Sequence, residues 1–312
     1  MKKEKILITG VTGFTGRHLL DFLRSLGIYR GDIFGIDKEG PCGATGFRFI
    51  KLDLSDKFQT LRVLKKVKPG LIFHLAGINF GKKYDELLCS NILMTNNLLE
   101  VLVHSGLGAR ILIIGSAAEY GMAGGSRKPI NESAPIMPVT PYGVSKAAQN
   151  MLALQYCQEF GLYIVIARPF NLIGPGQTSN LVCGSIINQM KRVCAGRGHP
   201  GKIIVGNLHT KRDFVDVRDA VRAYWQLLTC KKDISGQVFN IGSGHAYSVR
   251  DVIAELFKYC GRKIEIEQRV SKVRTNDIPF QVADVRKIKR VTGWTGKISI
   301  ERSLKDMYES IM

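Results

Sequence analysis

Through the first half of the chain, short apolar runs alternate with longer stretches whose apolar residues recur every three or four positions. The runs are KILIT (5–9), DIFGID (32–37), FRFIKL (47–52), LIFHLA (71–76), RILIIGS (110–116) and LYIVIARP (162–169). Runs this short and this apolar predict strands buried on both faces, and the helix-period stretches between them predict the crossovers of a parallel sheet. After Pro169 the pattern changes to Gly/Pro-rich loops (GPGQ, 174–177; GRGHPG, 196–201), short strands (KIIVG, 202–206; VFNIGSG, 238–244) and helices near 248–260 and 299–311. The expected architecture is α/β, with a large domain over residues 1–168 and a smaller, interwoven α/β lobe over 169–312 that completes a cleft.

The first strand runs into Gly10-Val-Thr-Gly-Phe-Thr-Gly16, followed by RHLLDFLRSLG with apolar positions at helical spacing. In a strand, glycine turn and helix of this kind, Gly10 permits the tight turn and Gly13 lets backbone approach a pyrophosphate. Gly16 lets helix pack on sheet, and Thr12, Phe14 and Thr15 complete the anion-facing turn at the helix N-terminus. A doubly wound, Rossmann-type dinucleotide domain follows. The second strand ends at Asp37, about twenty residues past Gly16, where a carboxylate accepts from ribose hydroxyls and repels a 2′-phosphate. NAD(H) is therefore favoured, with NADP(H) left open because Lys38 adjoins Asp37. Asp53-Leu54 and Leu75-Ala76-Gly77 fall at later strand ends, where open α/β sheets bind ligands; each is equally a plausible turn by itself.

Tyr142 and Lys146 in TPYGVSK lie four residues apart, one turn along the same helix face. An ammonium so placed is expected to lower the phenol's pKa and fit it for proton exchange with a carbonyl or alcohol. Ser116, at the end of the fifth run, is positioned to hydrogen-bond the same oxygen.

Composition narrows the function classes. A hydrophobic content of 45% supports a real core, and a chain that opens MKKEKILITG shows no leader pattern and no long apolar span, so a cytoplasmic, membrane-free protein is expected. The formal charge of +19 is spread along the chain without basic blocks or aromatic interleaving, which points to a phosphate-rich ligand rather than nucleic acid. Seven dispersed cysteines without ligand spacing are expected to be reduced structural thiols, with no metal site.

Taken together, TGVTGFTG, DL, HLAG, GSAAEYG, PYGVSK and ARPFN resemble the extended short-chain dehydrogenase/reductases, the family of nucleotide-sugar epimerases, dehydratases and ketoreductases, over essentially the whole chain. The resemblance implies a Ser116, Tyr142, Lys146 catalytic triad, with Asn91 near it and Arg168 beside the cofactor. ARPFNLIGPGQ, VGNLHTKRDFVDVRDAVRAYW and VFNIGSG are similar to the family's GDP-sugar ketoreductases. This implies a GDP-sugar pocket that includes Asn171, Gln177, Asn207, Arg212, Lys272 and Arg274, and a homodimer formed through helices 87–105 and 142–160. Apart from the resemblance, the alternative for Arg212 is a structural ion pair with nearby Asp213, Asp216 or Asp219. Where the dehydratases carry an acid after the fifth strand, this chain has Ala118, and Glu119 in an extended segment would point away. A 4-ketoreductase is the leading expectation, a 4-epimerase with retained NAD its rival, and a non-catalytic dinucleotide sensor the reading from another class.

Overall fold

The apolar runs form consecutive strands of one parallel sheet: β1 (Ile6–Thr9), β2 (Ile33–Asp37), β3 (Arg48–Lys51), β4 (Leu71–His74), β5 (Arg110–Ile114) and β6 (Tyr163–Pro169). The computed structural model describes residues 4–40, 46–78, 83–126, 128–195, 201–260, 264–269, 271 and 277–311. A seventh strand, Val238–Ile241, comes from the second half of the chain and pairs with β6 from Val238↔Ile166 to Ile241↔Pro169. The spatial order starts at this strand and continues β6, β5, β4, β1, β2, β3.

Alternate side chains on each strand supply two cores, as the pleat requires. Ile6 and Ile8 face helices α1 (Phe14–Ser25) and Val217–Leu228, whereas Leu7 and Ile72 face α2 (Lys57–Val67), Met94–Ser105 and Pro141–Phe160. In chain order the remaining helices are α3 (Tyr84–Leu88), α4 (Met94–Ser105), α5 (Pro141–Phe160), α6 (Val182–Ala195), α7 (Val217–Leu228), α8 (Val249–Cys260), α9 (Arg286–Thr292) and α10 (Ile300–Ile311). Between α3 and α4, residues Cys89–Leu93 form a π-helical turn, a local widening that is frequent at functional sites.

The remaining strands are short: β7 (Asn171–Ile173), β8 (Gly201–Val205), β9 (Lys211–Arg212), β10 (Phe214–Asp216), β11 (Val238–Ile241), β12 (Tyr247–Ser248), β13 (Ile264–Gln268) and β14 (Phe280–Gln281). A separate core in the second half gathers Ile186, Ile187 and Met190 of α6, Val252, Ile253 and Leu256 of α8, and Leu304 and Met307 of α10. Residues 214–241 nevertheless return to the first sheet, with α7 packed on α1 and β11 at the sheet's edge. Among the described residues, no helix is long and apolar enough to cross a membrane.

Candidate active site

The glycine turn is shaped by close backbone approach. Gly10 sits at φ +69°, and a Cβ there would lie 2.8 Å from the Ala76 backbone; one at Gly16 would lie 2.4 Å from the Gly10 carbonyl. Gly13 is the extended N-cap of α1, with no side chain capping the helix and no acid in its first turn. These free first-turn amides suit an anion. Asp37 Oδ2 accepts from the Thr12 amide at 3.1 Å and from its hydroxyl at 2.6 Å, while Oδ1 accepts from the Lys38 amide. The acid thus braces the turn from the end of β2 and keeps lone pairs for a ribose. The cradle fits a dinucleotide: Gly10 to Gly16 would hold the pyrophosphate and Asp37 the adenosine ribose. Phe14 and Thr15 open α1, and Lys38 is exposed.

The other strand-end residues are held from behind. Asp53 caps its own turn through the Ser55 amide, and Asn97 donates to the carbonyls of Leu54 and Ser55. The Leu75 amide donates to the Thr9 carbonyl and the Ala76 amide to Thr9 Oγ1. Asn91, fully buried in the π-helical turn, exchanges hydrogen bonds with Ile78 and donates to Ser145 Oγ at 2.9 Å, which ties the loop after Gly77 to α5.

Thr140 caps α5 by accepting from the Gly143 amide, and Pro141 opens the helix. A Cβ at Gly143 would lie 2.5 Å from the Ala118 carbonyl, so this glycine lets α5 close onto the segment after β5 and brings Tyr142 to Ser116. The two side chains are hydrogen-bonded. Burial, opposed by that bond, pushes the Tyr142 phenol up to about 12, with the nearby charge of Glu119 adding to the rise. The expected lowering by Lys146 is not found: the groups that act on this phenol are Ser116 and Glu119, and burial sets its direction. Lys146 directs its buried ammonium to the Ile114 carbonyl and to Gln149 Oε1, each at 2.8 Å, and burial, opposed by Glu119, brings it down to about 8. The result is a neutral phenol, a proton donor, one helical turn from a lysine lowered to about 8.

Behind Lys146 runs a buried chain that sequence reasoning missed. Gln149 Nε2 donates to Thr95 Oγ1 at 2.9 Å, and Thr95 sends its own proton to the Asn91 carbonyl at 2.7 Å. His74 Nε2, 2.9 Å from the same oxygen, must then be the donor. His74 Nδ1 therefore accepts from Thr9 Oγ1 at 2.8 Å. Burial, helped by the Lys146 charge, brings this imidazole down to about 3. The sequence signals were a histidine ending an apolar strand and a glutamine three residues past Lys146.

Two expectations change. The segment after β5 is a one-turn 3-10 helix (Ala117–Glu119) capped by Ser116, not an extended strand. Glu119 is turned inward, accepting from the Ser116 amide at 2.6 Å and Asn150 at 2.7 Å and pairing with Arg168 at 2.7 Å. Arg168, expected beside the cofactor, is buried on this carboxylate and stacked over the Tyr120 ring. Its charge compensates Glu119.

The residues expected at a sugar nucleotide fall into two groups. Asn171 donates to the Asp213 carbonyl, and Gln177 is buried, bonding the Leu172 carbonyl and the Gly184 amide, so both shape the loop that His18 ties to α1 through the Pro175 carbonyl. Arg212 and Asn207 converge on Asp277, at 2.9 and 3.2 Å. Asp277 is therefore Arg212's ion-pair partner. Asp213, Asp216 and Asp219 are engaged elsewhere: Asp213 accepts from Ser243, Gly244 and Ala283, Asp216 pairs with Arg218, and Asp219 pairs with Arg222. Lys272 and Arg274 lie outside the described residues.

Comparison with known proteins places this geometry. The sequence profile of the GDP-mannose 4,6-dehydratase family matches residues 7–307. GDP-6-deoxy-D-mannose reductase of Pseudomonas aeruginosa is 30% identical, over 97% of this chain and 95% of that protein. Among solved structures, RMD from Pseudomonas aeruginosa complexed with NADPH superposes with a TM-score of 0.83 at 28% identity over 98% of both chains. UDP-glucuronic acid 4-epimerase from Bacillus cereus in complex with NAD gives a TM-score of 0.82 at 28% identity, also over 98% of both chains. A profile match across nearly the whole length, joined to a glycine-turn cradle and a Ser-Tyr-Lys site, settles the family: the chain belongs to the GDP-mannose 4,6-dehydratase family of extended short-chain dehydrogenase/reductases and is an NAD(P)-dependent enzyme acting on nucleotide sugars.

Proposed function

We propose that this enzyme is a nucleotide-sugar 4-ketoreductase that reduces GDP-4-keto-6-deoxy-D-mannose to a GDP-6-deoxyhexose such as GDP-D-rhamnose, preferring NADH. The observation that carries the reading is the neutral Tyr142 phenol hydrogen-bonded to Ser116, in a site without a free carboxylate after β5: Ala118 has none, and Glu119 is held by Arg168, Asn150 and the Ser116 amide. Water elimination from a sugar needs an acid/base group there. Ketone reduction needs only a proton donor and a hydride.

A bound nicotinamide supplies the hydride to the substrate's C4. Tyr142 gives its proton to the C4 oxygen, Ser116 orients that oxygen, and Lys146, one turn along α5, contributes positive charge as the phenolate forms. Asn171, Gln177, Asn207, Arg212, Lys272 and Arg274 are proposed around the nucleotide sugar, with a guanidinium on its diphosphate. The similarity to the Pseudomonas aeruginosa reductase supports guanine as the base. Asp37, accepting from Thr12 at the end of β2, supports NADH. The same acid also suits a 4-epimerase that retains NAD, and this second reading predicts no net cofactor oxidation.

We place the protein in the cytoplasm as a homodimer. Tyr84, Leu93, Met151 and Phe160 on α3 to α5 are 43–61% exposed, an apolar surface that a second copy would cover.

The test is nicotinamide absorbance with GDP-4-keto-6-deoxy-D-mannose and either NADH or NADPH. NADH oxidation, cut about 1000-fold in Tyr142→Phe, is expected. A sugar epimer formed without net oxidation would establish the epimerase instead.

A further inference from the structure

The second-half core contains two similar helix-to-strand units. Helix α6 leads to β8 and α8 leads to β13, and the strands pair in parallel from Gly201↔Ile264 to Val205↔Gln268. A cysteine stands at the C-terminal end of each helix: Cys194 is the penultimate residue of α6 and Cys260 the last of α8. Their sulfur atoms are in contact at 2.6 Å, with the Tyr308 hydroxyl of α10 3.9 Å from Cys194 Sγ. Both residues are only partly buried, so a small reagent can reach them. Other described thiols have different surroundings: Cys157 faces Ser235 Oγ, and Cys183 is sealed in the core.

We propose that Cys194 and Cys260 form a redox-sensitive pair that closes to a reversible disulfide and staples α6 to α8. The helices are already held together by Ile186, Ile187 and Met190 against Val252, Ile253 and Leu256, so the packing itself delivers the thiols to each other. The oxidant is a small-molecule disulfide such as oxidised glutathione. One cysteine thiolate attacks it, forming a mixed disulfide and releasing one reduced thiol. The second cysteine then attacks the mixed disulfide and releases the other. The protein gives up two protons and two electrons, and the small disulfide is reduced to two thiols. The bond links positions 66 residues apart, which restricts the unfolded chain far more than the folded one, so oxidation stabilises the fold. None of this depends on which sugar the enzyme reduces.

The experiment equilibrates the full chain with oxidised glutathione, alkylates the remaining thiols, and maps the peptides by mass spectrometry beside thermal unfolding. The expected result is a Cys194–Cys260 cross-linked peptide that dithiothreitol reverses, with a midpoint raised by on the order of 5 °C. In Cys194→Ser and Cys260→Ser the remaining thiol takes up glutathione and the midpoint does not rise. Separate alkylation of both cysteines after oxidation, or a glutathione on each in the unaltered chain, overturns the proposal.

Discussion

Gln149 Oε1 accepts from the Lys146 ammonium at 2.8 Å, and the same side chain's amide donates into the buried Thr95–His74–Thr9 chain. Lys146 is thereby anchored to the ends of β1 and β4 and to the π-helical turn that carries Asn91. Lys146 bonds directly to the Ile114 carbonyl of β5 and to Gln149 of α5, and Gln149 is fixed in turn by residues of α4, β4 and β1, which limits the positions the lysine's charge can take.

Replacing that acceptor tests whether Gln149 tunes the lysine or only fills space. In Gln149→Leu the buried ammonium loses a partner for its charged form, so Lys146 is expected to titrate lower, and the alkaline limb of the kcat/KM profile to move down by about one pH unit. Gln149→Glu adds a negative charge and should move it up. Two variants with unchanged pH profiles and equal losses of activity would reduce Gln149 to a packing role.

Asp37 braces Thr12 at the end of β2, where it would accept from the adenosine ribose of a bound dinucleotide. Asp37→Ser removes the charge that repels a 2′-phosphate and the acceptor for a ribose hydroxyl. The ratio of kcat/KM for NADH over NADPH is expected to fall by about 10-fold or more. Initial rates with both cofactors measure it, and an unmoved ratio would mean that discrimination lies elsewhere.

Much of this was legible in the sequence because strands buried on both faces read as continuous apolar runs, as β1, β2, β4, β5 and β6 do. β11 was harder. VFNIGSG is as good a strand for a small lobe as for the main sheet, and only its pairing with Ile166 to Pro169 decides between them. The placement of Tyr142 and Lys146 on one helix could be read from helical spacing, and that of Ser116 from its strand end. The roles of Arg168 and Arg212 could not, since their partners Glu119 and Asp277 lie 49 and 65 positions away, and a lone arginine in a sequence does not show which carboxylate it meets. The same limit hid the relay behind Lys146, whose members come from β1, β4, α4 and α5.

Tyr224 on α7 is wholly buried, and its hydroxyl has no hydrogen-bond partner among the described residues. Burial raises this phenol far above the usual tyrosine range. Tyr224→Phe removes a desolvated group that has nothing to bond, so stability is expected to hold or rise by up to about 1 kcal/mol. Tyr120→Phe makes the contrast. Its hydroxyl donates to Asn240 Oδ1 at 2.7 Å, and losing it strands a buried acceptor, at a cost of about 1–3 kcal/mol. Denaturant unfolding of the pair checks both signs.

His74 gives the chain a specific acid sensitivity. The neutral imidazole donates from Nε2 and accepts at Nδ1, so a second proton would fall between Nδ1 and the Thr9 hydroxyl, close to the positive Lys146. The folded state resists it down to about pH 3, whereas the unfolded chain takes it up near 6.5. Between those values the unfolded state binds more protons, so stability falls as pH drops from about 6.5 toward 3, and the contribution is fully present only above that window. Buried Glu119 and Asp213, both raised, act with the opposite sign. Comparing the wild-type chain with His74→Gln cancels their part. The variant is expected to be less stable at pH 7, with the difference shrinking as the pH falls. Urea unfolding at pH 7, 6, 5 and 4 reads this directly, and parallel curves would show that His74 keeps the same protonation in both states.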